Sequence, residues 1–228
     1  MNHYIHKDTY RKLYARYLPP HGRSETEMVD LAGDFKGKVV LDLCGGAGAI
    51  ALECVERHAK TVALLDGCVA MVDVATLERK GVRVWVADVD EFLRIPAPDR
   101  WLFDVVFCRQ AVNYWFDEET IEGLAAKIAP DGIFIFNTFN RKPPERPVVK
   151  QYSLSDGDGT HHFVEVHWCV DGIVHHVQVC EGMEPHCTAF RWSSPERFRE
   201  VLEPCFDLDV RTDGPTDIYV CRKSAEKS

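Results

Sequence analysis

The chain has 228 residues, of which 46% are hydrophobic, and a formal net charge of −9. This length allows one domain with a full core and a small appendage, and the acidic balance disfavours broad binding to nucleic acid, which depends on Lys and Arg patches. No apolar run approaches the roughly 20 residues of a membrane-spanning helix, and the charged N-terminus lacks the apolar core of a signal peptide. We therefore expect a cytoplasmic protein, monomeric or homodimeric, without nucleic-acid or membrane partners.

Short apolar runs alternate with amphipathic stretches from Lys38 to Phe139. The pattern predicts strands at 38–43, 61–66, 81–88, 101–108 and 130–139 and helices at 49–59, 68–80 and 118–128. Strands this apolar, alternating with helices, indicate a parallel sheet that is covered on both faces. The ligands of such sheets bind beyond the carboxyl ends of the strands, where the strand order reverses.

After Phe139 the pattern becomes that of an antiparallel insert. Strands are predicted at 151–154, 160–170, 172–182 and 186–192, with Asp171-Gly172 as a hairpin turn. Ser194 and Pro195 then begin a helix, and two strands at 206–212 and 217–223 follow it. The predicted plan has three parts, which are an N-terminal helical segment (1–36), an α/β core (37–140 and 193–228) and an antiparallel β insert (141–192).

The stretch VVLDLCGGAGAIAL, residues 39–52, joins the first strand to the first helix through a glycine loop. Such loops bring backbone close to a ligand. Gly46, Gly48 and Ala51 fit the dinucleotide pattern G-x-G-x-x-A, and Asp66 ends the second strand, where an acid can bind ribose hydroxyls. The loop therefore predicts a nucleotide-containing ligand, either a dinucleotide or S-adenosylmethionine (SAM).

Three features favour SAM over a dinucleotide. Asp42 precedes the loop, where a carboxylate opposes a pyrophosphate but suits an ammonium group. Asp88 ends the third strand, where an acid can accept the adenine amino group; the alternative for Asp88 is a helix N-cap or a surface carboxylate. The core also closes with a helix and two strands rather than with a second nucleotide-binding half.

Together these features resemble the class I SAM-dependent methyltransferases. VVLDLCGGAGAIAL is similar to the family's first motif, and LLDGCVAM, ADVDEF, FDVVFCRQAVNYW and IAPDGIFIFNTFN follow in the family's order. The resemblance implies a doubly wound, mostly parallel seven-stranded α/β sheet, Rossmann-like, with a small antiparallel β insert. One departure stands in the first motif, where Cys44 replaces the first loop glycine.

The resemblance also implies roles for individual residues. Gly46 and Gly48 let the backbone approach the methionine portion of SAM, Asp66 binds the ribose, and Asp88 with Val89 frames the adenine. The expected cofactor-binding residues are Asp42, Cys44, Gly46, Ala47, Gly48, Asp66, Gly67, Met71, Asp88, Val89, Cys108, Arg109 and Tyr14. The product of methyl transfer is S-adenosylhomocysteine (SAH).

The residues after the fourth strand bear on the methyl acceptor. Enzymes that methylate nitrogen atoms of nucleobases or of glutamine amides usually carry Asn or Asp followed by two prolines there. This chain has Cys108-Arg109-Gln110-Ala111 instead, which disfavours those acceptors. The insert resembles the lid of small-molecule N- and O-methyltransferases, which roofs an enclosed pocket. We expect a small-molecule acceptor that contacts Gln110, Asn113, Tyr114 and Tyr17. Arg109 either pairs with a substrate carboxylate or forms a salt bridge within the protein.

Six of the ten histidines lie between 161 and 186, in the insert. Strand periodicity places Glu165 and His167 on one face and turns His175 and His176 opposite ways. A lid histidine such as His167, oriented by Glu165, is a candidate general base. The alternatives are a solvated histidine face opposite a Val/Trp core face, or a metal site. No zinc-type spacing is present and the nine cysteines form no CxxC pair, so we predict no metal and reduced thiols.

Two other classes of protein fit parts of the sequence. One is a SAM-binding regulatory or partner subunit without methyl transfer. The other is an NAD-dependent oxidoreductase that uses the G-x-G-x-x-A loop, although it leaves Asp42 and the closing strands unexplained. A methyltransferase of macromolecules is a weaker third alternative.

Overall fold

The structure is a computed structural model that describes residues 23–69, 71–96, 102–156, 159–182 and 185–223. The predicted contacts of Tyr14 and Tyr17 lie outside these residues, and so does most of the N-terminal segment. Within the described part of the chain, no helix is long and apolar enough to cross a membrane.

The first half of the chain alternates strands and helices, as the sequence pattern predicts. After a first helix, α1 (Arg23–Ala32), the elements are β1 (Val39–Leu43), α2 (Ala49–Glu56), β2 (Thr61–Asp66), α3 (Val74–Arg79), β3 (Val82–Val86), α4 (Val89–Arg94), β4 (Phe103–Arg109), a 3-10 turn (Val112–Tyr114), α5 (Glu118–Lys127) and β5 (Ile128–Phe139).

The helix predicted at 68–80 is wrong in its start, because α3 begins only at Val74. Asp73 is its N-cap, and the Asp73 carboxylate accepts a hydrogen bond from the backbone N–H of Thr76 at 3.1 Å. A cap of this kind satisfies a backbone donor in the first turn and so fixes where a helix begins. The preceding loop, which carries Gly67 and Met71, is therefore free to line the end of the sheet.

The second half of the chain holds the antiparallel insert and then completes the core. The insert strands are β6 (Val148–Asp156), β7 (Gly159–Val170), β8 (Ile173–Cys180) and β9 (His186–Arg191), and they are followed by α6 (Pro195–Leu202), β10 (Phe206–Asp213) and β11 (Thr216–Lys223). Asp171 and Gly172 both have positive φ angles, as a two-residue hairpin between β7 and β8 requires. Ser194 caps α6, whose first residue is Pro195. Both sequence predictions are confirmed.

The main sheet has seven strands in the order β3-β2-β1-β4-β5-β11-β10. All neighbours are parallel except the pairs made by β11, which is antiparallel to both β5 and β10. Two apolar clusters cover its two faces. The predicted fold is confirmed, and the strand order reverses between β1 and β4, which places the crevice for a ligand beside the glycine loop.

Candidate cofactor and acceptor site

The glycine loop turns through three left-handed residues, Cys44 (φ 57°), Gly46 (φ 53°) and Gly48 (φ 79°). The left-handed region suits glycine because it lacks a Cβ atom. A Cβ atom on Gly48 would lie 2.6 Å from Cδ2 of Leu77, so α3 also packs too closely for a side chain there. The chain therefore turns sharply enough to start α2 beside the carboxyl end of β1, and Ala47 stands exposed between the two glycines.

Asp66, at the end of β2, holds this loop in place. One carboxylate oxygen accepts the backbone N–H of Gly46 at 2.9 Å, and the other accepts the N–H of Cys68 at 2.7 Å. The side chain is buried, and burial raises its pKa while the two hydrogen bonds oppose the rise. Asp66 thus joins the loop after β1 to the loop after β2. Because each carboxylate oxygen has a second lone pair, Asp66 can still accept hydrogen bonds from ribose hydroxyls.

Asp42 lies in β1, just before the loop, and is 1% exposed. Its carboxylate accepts the N–H of Ala51 at 3.0 Å, in the first turn of α2. Burial raises the pKa of Asp42 to about 7, while this hydrogen bond and the positive charge of Arg109 oppose the rise. A nearby cation favours the ionised form of a carboxyl whose pKa lies near 7. An acid that binds an ammonium group needs this property.

Cys44, the departure from the glycine pattern, has a structural explanation. The left-handed conformation costs a non-glycine residue about 1–2 kcal/mol. The Cys44 thiol makes a hydrogen-bond contact with the thiol of Cys108. The contact with Cys108, together with burial, raises the pKa of Cys44, so the group stays a neutral thiol between β1 and β4.

One side of the crevice is formed by the ends of β2 and β3. Asp88 is exposed and caps α4, accepting the N–H of Glu91 at 3.1 Å, while Val89 and Met71 are half-buried against the core. The cap uses one oxygen of Asp88 and leaves the other oxygen available. Gly67 lies exposed at the end of β2.

Large apolar side chains remain exposed along this edge of the sheet. Val69 is 62% exposed after β2, and Val86 is 46% exposed at the end of β3, the neighbouring strand. Apolar surface gathered in one region marks a place where a ligand or a partner is bound. An edge that combines such surface with Asp66 and Asp88 fits the adenosine of SAM, which is a flat apolar ring on a polyhydroxylated sugar.

Two polar residues that the sequence analysis missed organise the end of β4. Asn137 and Thr138 are buried at the end of β5. The Asn137 side chain accepts the backbone N–H of Gln110 at 2.8 Å, and Asn113 donates to the Thr138 hydroxyl at 2.7 Å. The signal in the sequence was the pair of polar residues that ends the apolar run IFIF. Both predicted acceptor contacts, Gln110 and Asn113, are therefore held by the neighbouring strand.

The glycine loop and the carboxyl ends of the neighbouring strands, the end of β4 included, form one side of the crevice, which we call the floor. Tyr114 joins this floor to the insert. Its ring contacts Phe190 of β9 at a centroid distance of 5.4 Å, and its hydroxyl forms a hydrogen bond with Thr188. Thr188 and Phe190 are two apart on β9, so both side chains point to the same face of the insert sheet. That face therefore looks onto the carboxyl edge of the main sheet.

Strand register identifies the other residues on the inner face of the insert, which we call the roof. Thr188 pairs with His176 on β8, which pairs with His167 on β7, and Gln178 pairs with His186 and Glu165. The Glu165 carboxylate lies 3.5 Å from Nε2 of His176 and 3.8 Å from Nδ1 of His167. The roof thus contains one carboxylate between two imidazoles.

Burial on the insert contradicts one alternative of the sequence analysis. The roof carries the buried residues Phe163, Cys169 and Val174, together with buried His186. The opposite face carries most of the valines of the insert and Trp168, and Val149 there is 57% exposed. The interpretation of solvated histidines opposite a Val/Trp core face is therefore wrong, because the inward histidines lie on the covered face and exposed His162 lies on the same face as the valines and Trp168.

Two buried acceptor atoms near the site have no donor among the described residues. They are Oε1 of Gln178 in the roof and Oδ1 of Asn113 at the end of β4. The Gln178 amide nitrogen is used, since it donates to the hydroxyl of Tyr152. Buried acceptors without donors are costly unless a ligand or water supplies the missing hydrogen bond. Across the same ranges of residues, no group of three or more His, Cys, Asp or Glu is arranged to hold a metal ion.

Comparisons with known proteins agree with this geometry. Residues 40–132 match the family described as "Methyltransferase domain". A ubiquinone biosynthesis O-methyltransferase of Neisseria meningitidis is 30% identical over 122 residues, which are 51% of this chain and 50% of that protein. The chain thus spans about half the length of the curated relatives it matches.

Solved structures share the fold over nearly the whole chain. One is the SAM-bound CalS10, an amino pentose methyltransferase of Micromonospora echinaspora, with a TM-score of 0.73 at 16% identity over 98% of this chain and 99% of that one. Another is the CcbJ methyltransferase of Streptomyces caelestis, with a TM-score of 0.73 at 15% identity over 99% of this chain and 100% of that one. The insert is therefore part of a fold seen in other proteins.

Proposed function

We propose that this chain, whose residues 40–132 match the family described as "Methyltransferase domain", transfers a methyl group from SAM to a nitrogen or oxygen atom of a small-molecule acceptor. The match to this domain and the shared fold support the family that the motifs resemble. The observation that carries the proposal is the closure of the glycine-loop crevice by the roof through Tyr114.

The residues of the crevice fit the cofactor. We propose that Asp66 binds the ribose hydroxyls, that Asp88 and Val89 frame the adenine with Met71 and Gly67, and that Asp42 acts on the amino group with the backbone at Cys108 and Arg109. The loop backbone at Cys44, Gly46, Ala47 and Gly48 receives the methionine portion. When bound, SAM supplies a methyl group on a positively charged sulfur, which already makes it electrophilic.

The protein's main task is then alignment. Holding two reactants in line supplies several kcal/mol, roughly 7–11 in the best cases, without an unusual residue. Asn113 and Gln110 are fixed by β5, and Tyr114 is fixed between floor and roof. We propose that these three residues position the acceptor, that Tyr17 adds a further contact, and that Arg109 binds an acidic group on the acceptor.

The acceptor class follows from the atoms left without donors. The carbonyl oxygens of Gln178 and Asn113 both need an N–H or O–H group, and hydroxylated or aminated small molecules provide them. The similar proteins include a sugar-modifying enzyme, the amino pentose methyltransferase, and an O-methyltransferase of ubiquinone biosynthesis. We propose one of these two acceptor kinds, an amino sugar or a phenol, for this chain.

Proton removal from the acceptor is the remaining requirement. A hydroxyl or an ammonium group must lose a proton to become a neutral methylated product. Glu165 and His167 of the roof are the candidates that the sequence predicts, and both lie on the inward face. We also propose a reducing compartment for the protein, because all nine cysteines are free thiols.

The test is turnover with a panel of acceptors. The purified protein is incubated with SAM and with glucosamine, 3,4-dihydroxybenzoate or no acceptor, and SAH is quantified by mass spectrometry together with the methylated product. Acceptor-dependent SAH with an equimolar methylated product supports methyl transfer. SAM binding without SAH formation, across amine and hydroxyl acceptors, would favour a SAM-binding protein without transfer.

A further inference from the structure

We propose that His176 is the proton acceptor of the site, with Glu165 holding its ring and His167 holding Glu165 from the other side. The inference rests on the proposed methyl transfer and assigns a residue that the sequence analysis did not select. Three histidines of the roof are close enough to Glu165 or to each other to compete for the role, namely His167, His176 and His186.

Position favours His176 over His167. His176 pairs with Thr188 on β9, and Thr188 forms a hydrogen bond with Tyr114, which follows β4 at the crevice. His167 lies one strand farther away, on β7, next to Val148 of β6. Because neighbouring strands are about 4.8 Å apart, His176 is nearer to the crevice by about that distance.

The surroundings of the three histidines also favour His176. Burial lowers the pKa of His186 to about 4, with the neighbouring His176 as a second cause, so His186 is neutral at physiological pH. Partial burial, followed by the positive charge of Lys150, lowers the pKa of His167. The Glu165 carboxylate is held in its charged form chiefly by a hydrogen bond from His176, which lowers its pKa. An ionised carboxylate therefore lies beside Nε2 of His176.

The contact also fixes which nitrogen accepts the proton. Nε2 of His176 lies 3.5 Å from Oε1 of Glu165, so the carboxylate favours the tautomer with its hydrogen on Nε2. Nδ1 is then the basic nitrogen. In the transfer step, the lone pair of the acceptor forms a bond to the methyl carbon, and the carbon–sulfur bond breaks with its electrons going to sulfur. The acceptor proton passes to Nδ1 of His176 and later to solvent.

The charged and titratable groups around His176, in the described part of the roof, are few. Glu165 and His167 face it from β7, and His186 faces it from β9 with ring centroids 6.3 Å apart. Lys150 of β6 stands opposite Glu165, and the Tyr114 hydroxyl contacts Thr188, which pairs with His176. Only Glu165 is acidic. Its removal should therefore make protonation of His176 harder rather than easier.

The chain offers a matched control in the adjacent residue. His175 points to the outer face of the same strand and stacks on Trp168, with ring centroids 5.0 Å apart. The variants His175→Asn and His176→Asn each replace one histidine of β8 by the same side chain. Only the second change alters the roof.

The first experiment measures the pH dependence of kcat for the wild type, His176→Asn and His175→Asn with whichever of glucosamine or 3,4-dihydroxybenzoate is methylated. We expect His176→Asn to lower kcat about 100-fold or more and to lose the acidic limb of the profile, while His175→Asn stays near the wild type. Glu165→Gln should keep the limb but move it to lower pH. Equal profiles for the two Asn variants, with SAM affinity unchanged in both, overturn the assignment.

A second readout needs no acceptor and separates this inference from the proposed function. Long-range 15N–1H NMR spectra of the full chain with saturating SAH report the tautomer of each histidine, and His176 is assigned from the spectrum of His176→Asn. We expect the Nε2–H tautomer at His176, and Glu165→Gln should reduce its population. An Nδ1–H tautomer, or no change in Glu165→Gln, overturns the inference even if methyl transfer is confirmed. Absence of turnover with the expected tautomer counts against the proposed function alone.

Discussion

The two sides of the crevice are built from different parts of the chain. The floor, around the glycine loop, is largely backbone, and Asp66 and Asp42 bind backbone N–H groups there at 2.7–3.0 Å. The roof is largely side chains, with Glu165 between two imidazoles. Short sequence motifs predict backbone geometry, whereas the positions of side chains on a sheet depend on strand register. The floor can therefore be predicted from the sequence, and the roof requires the structure.

We expect the largest loss of stability from a substitution in the glycine loop, where a turn is packed against a helix, compared with the same substitution in an open turn. Gly48 and Gly172 both have positive φ angles, 79° and 76°, but a Cβ atom would strike Leu77 at Gly48 and meet nothing within 4 Å at Gly172. We expect Gly48→Ala to lower the free energy of unfolding by about 3 kcal/mol and Gly172→Ala by about 1 kcal/mol. Urea denaturation measures both. Equal losses would mean that backbone strain alone, without packing, shapes the floor.

Asp66 tests whether the carboxylate that holds the loop also holds the cofactor. Asp66→Ala leaves two backbone donors without their acceptor and removes the proposed ribose contact. We expect SAM affinity to fall about 30-fold, or about 2 kcal/mol, as for a lost hydrogen bond to a charged group. Calorimetric titration checks this value. Asp73→Ala, which removes an exposed helix cap, is the control, and a similar loss of affinity in both variants would remove Asp66 from the site.

Asp42 gives the floor a pH dependence opposite in sign to that of His186 in the roof, whose pKa is lowered to about 4 by burial. Its folded-state pKa of about 7 lies above the ordinary value of 3.8, so the folded protein binds the proton more tightly than the unfolded chain. Stability is therefore highest below the unfolded value and falls as pH rises toward 7, at about 1.4 kcal/mol per pH unit. From pH 5 to pH 7 we expect the wild type to lose about 2 kcal/mol relative to Asp42→Asn, in which the contributions of the other groups, His186 included, are unchanged. Parallel curves for the two proteins in urea would refute the buried-carboxyl account.

Tyr114 gives the smallest effect and measures the link between the two sides. Tyr114→Phe removes the hydrogen bond with Thr188 but keeps the ring beside Phe190. We expect a loss of stability of about 1 kcal/mol or less, unchanged SAM affinity, and a raised KM for the acceptor. Thermal unfolding, titration and kinetics measure the three quantities. A large loss of SAM affinity would place Tyr114 in the cofactor site instead.

Most of the fold was predictable because each element carries a local signal. The apolar runs predicted β1 to β5, and Asp171-Gly172 and Ser194-Pro195 predicted a hairpin and a helix start that the structure confirms. The start of α3 was missed because Met71 and Val72 continue an apolar spacing that resembles a helix, while the cap at Asp73 overrides it. Caps compete with periodicity, and sequence alone did not settle which one governs.

The site was predictable on the floor and only in part on the roof. Period-two alternation placed Glu165 and His167 on one face, but it does not say which face is covered, since valines and histidines alternate on the same strand. The covered face proved to be the histidine face because Phe163 and Cys169 lie on it. Pairing of His176 with His167 across β7 and β8 is a matter of register, which no local pattern specified.

The central claim is that the glycine loop holds SAM, and calorimetric titration with SAM, SAH and NADH side by side tests it most directly. We predict that SAM and SAH bind with similar micromolar affinities and that NADH gives no heat, because Asp42 lies beneath the loop where a pyrophosphate would need positive or neutral surroundings. Binding of NADH without binding of SAM would contradict the account and make Asp66 the ribose ligand of a dinucleotide.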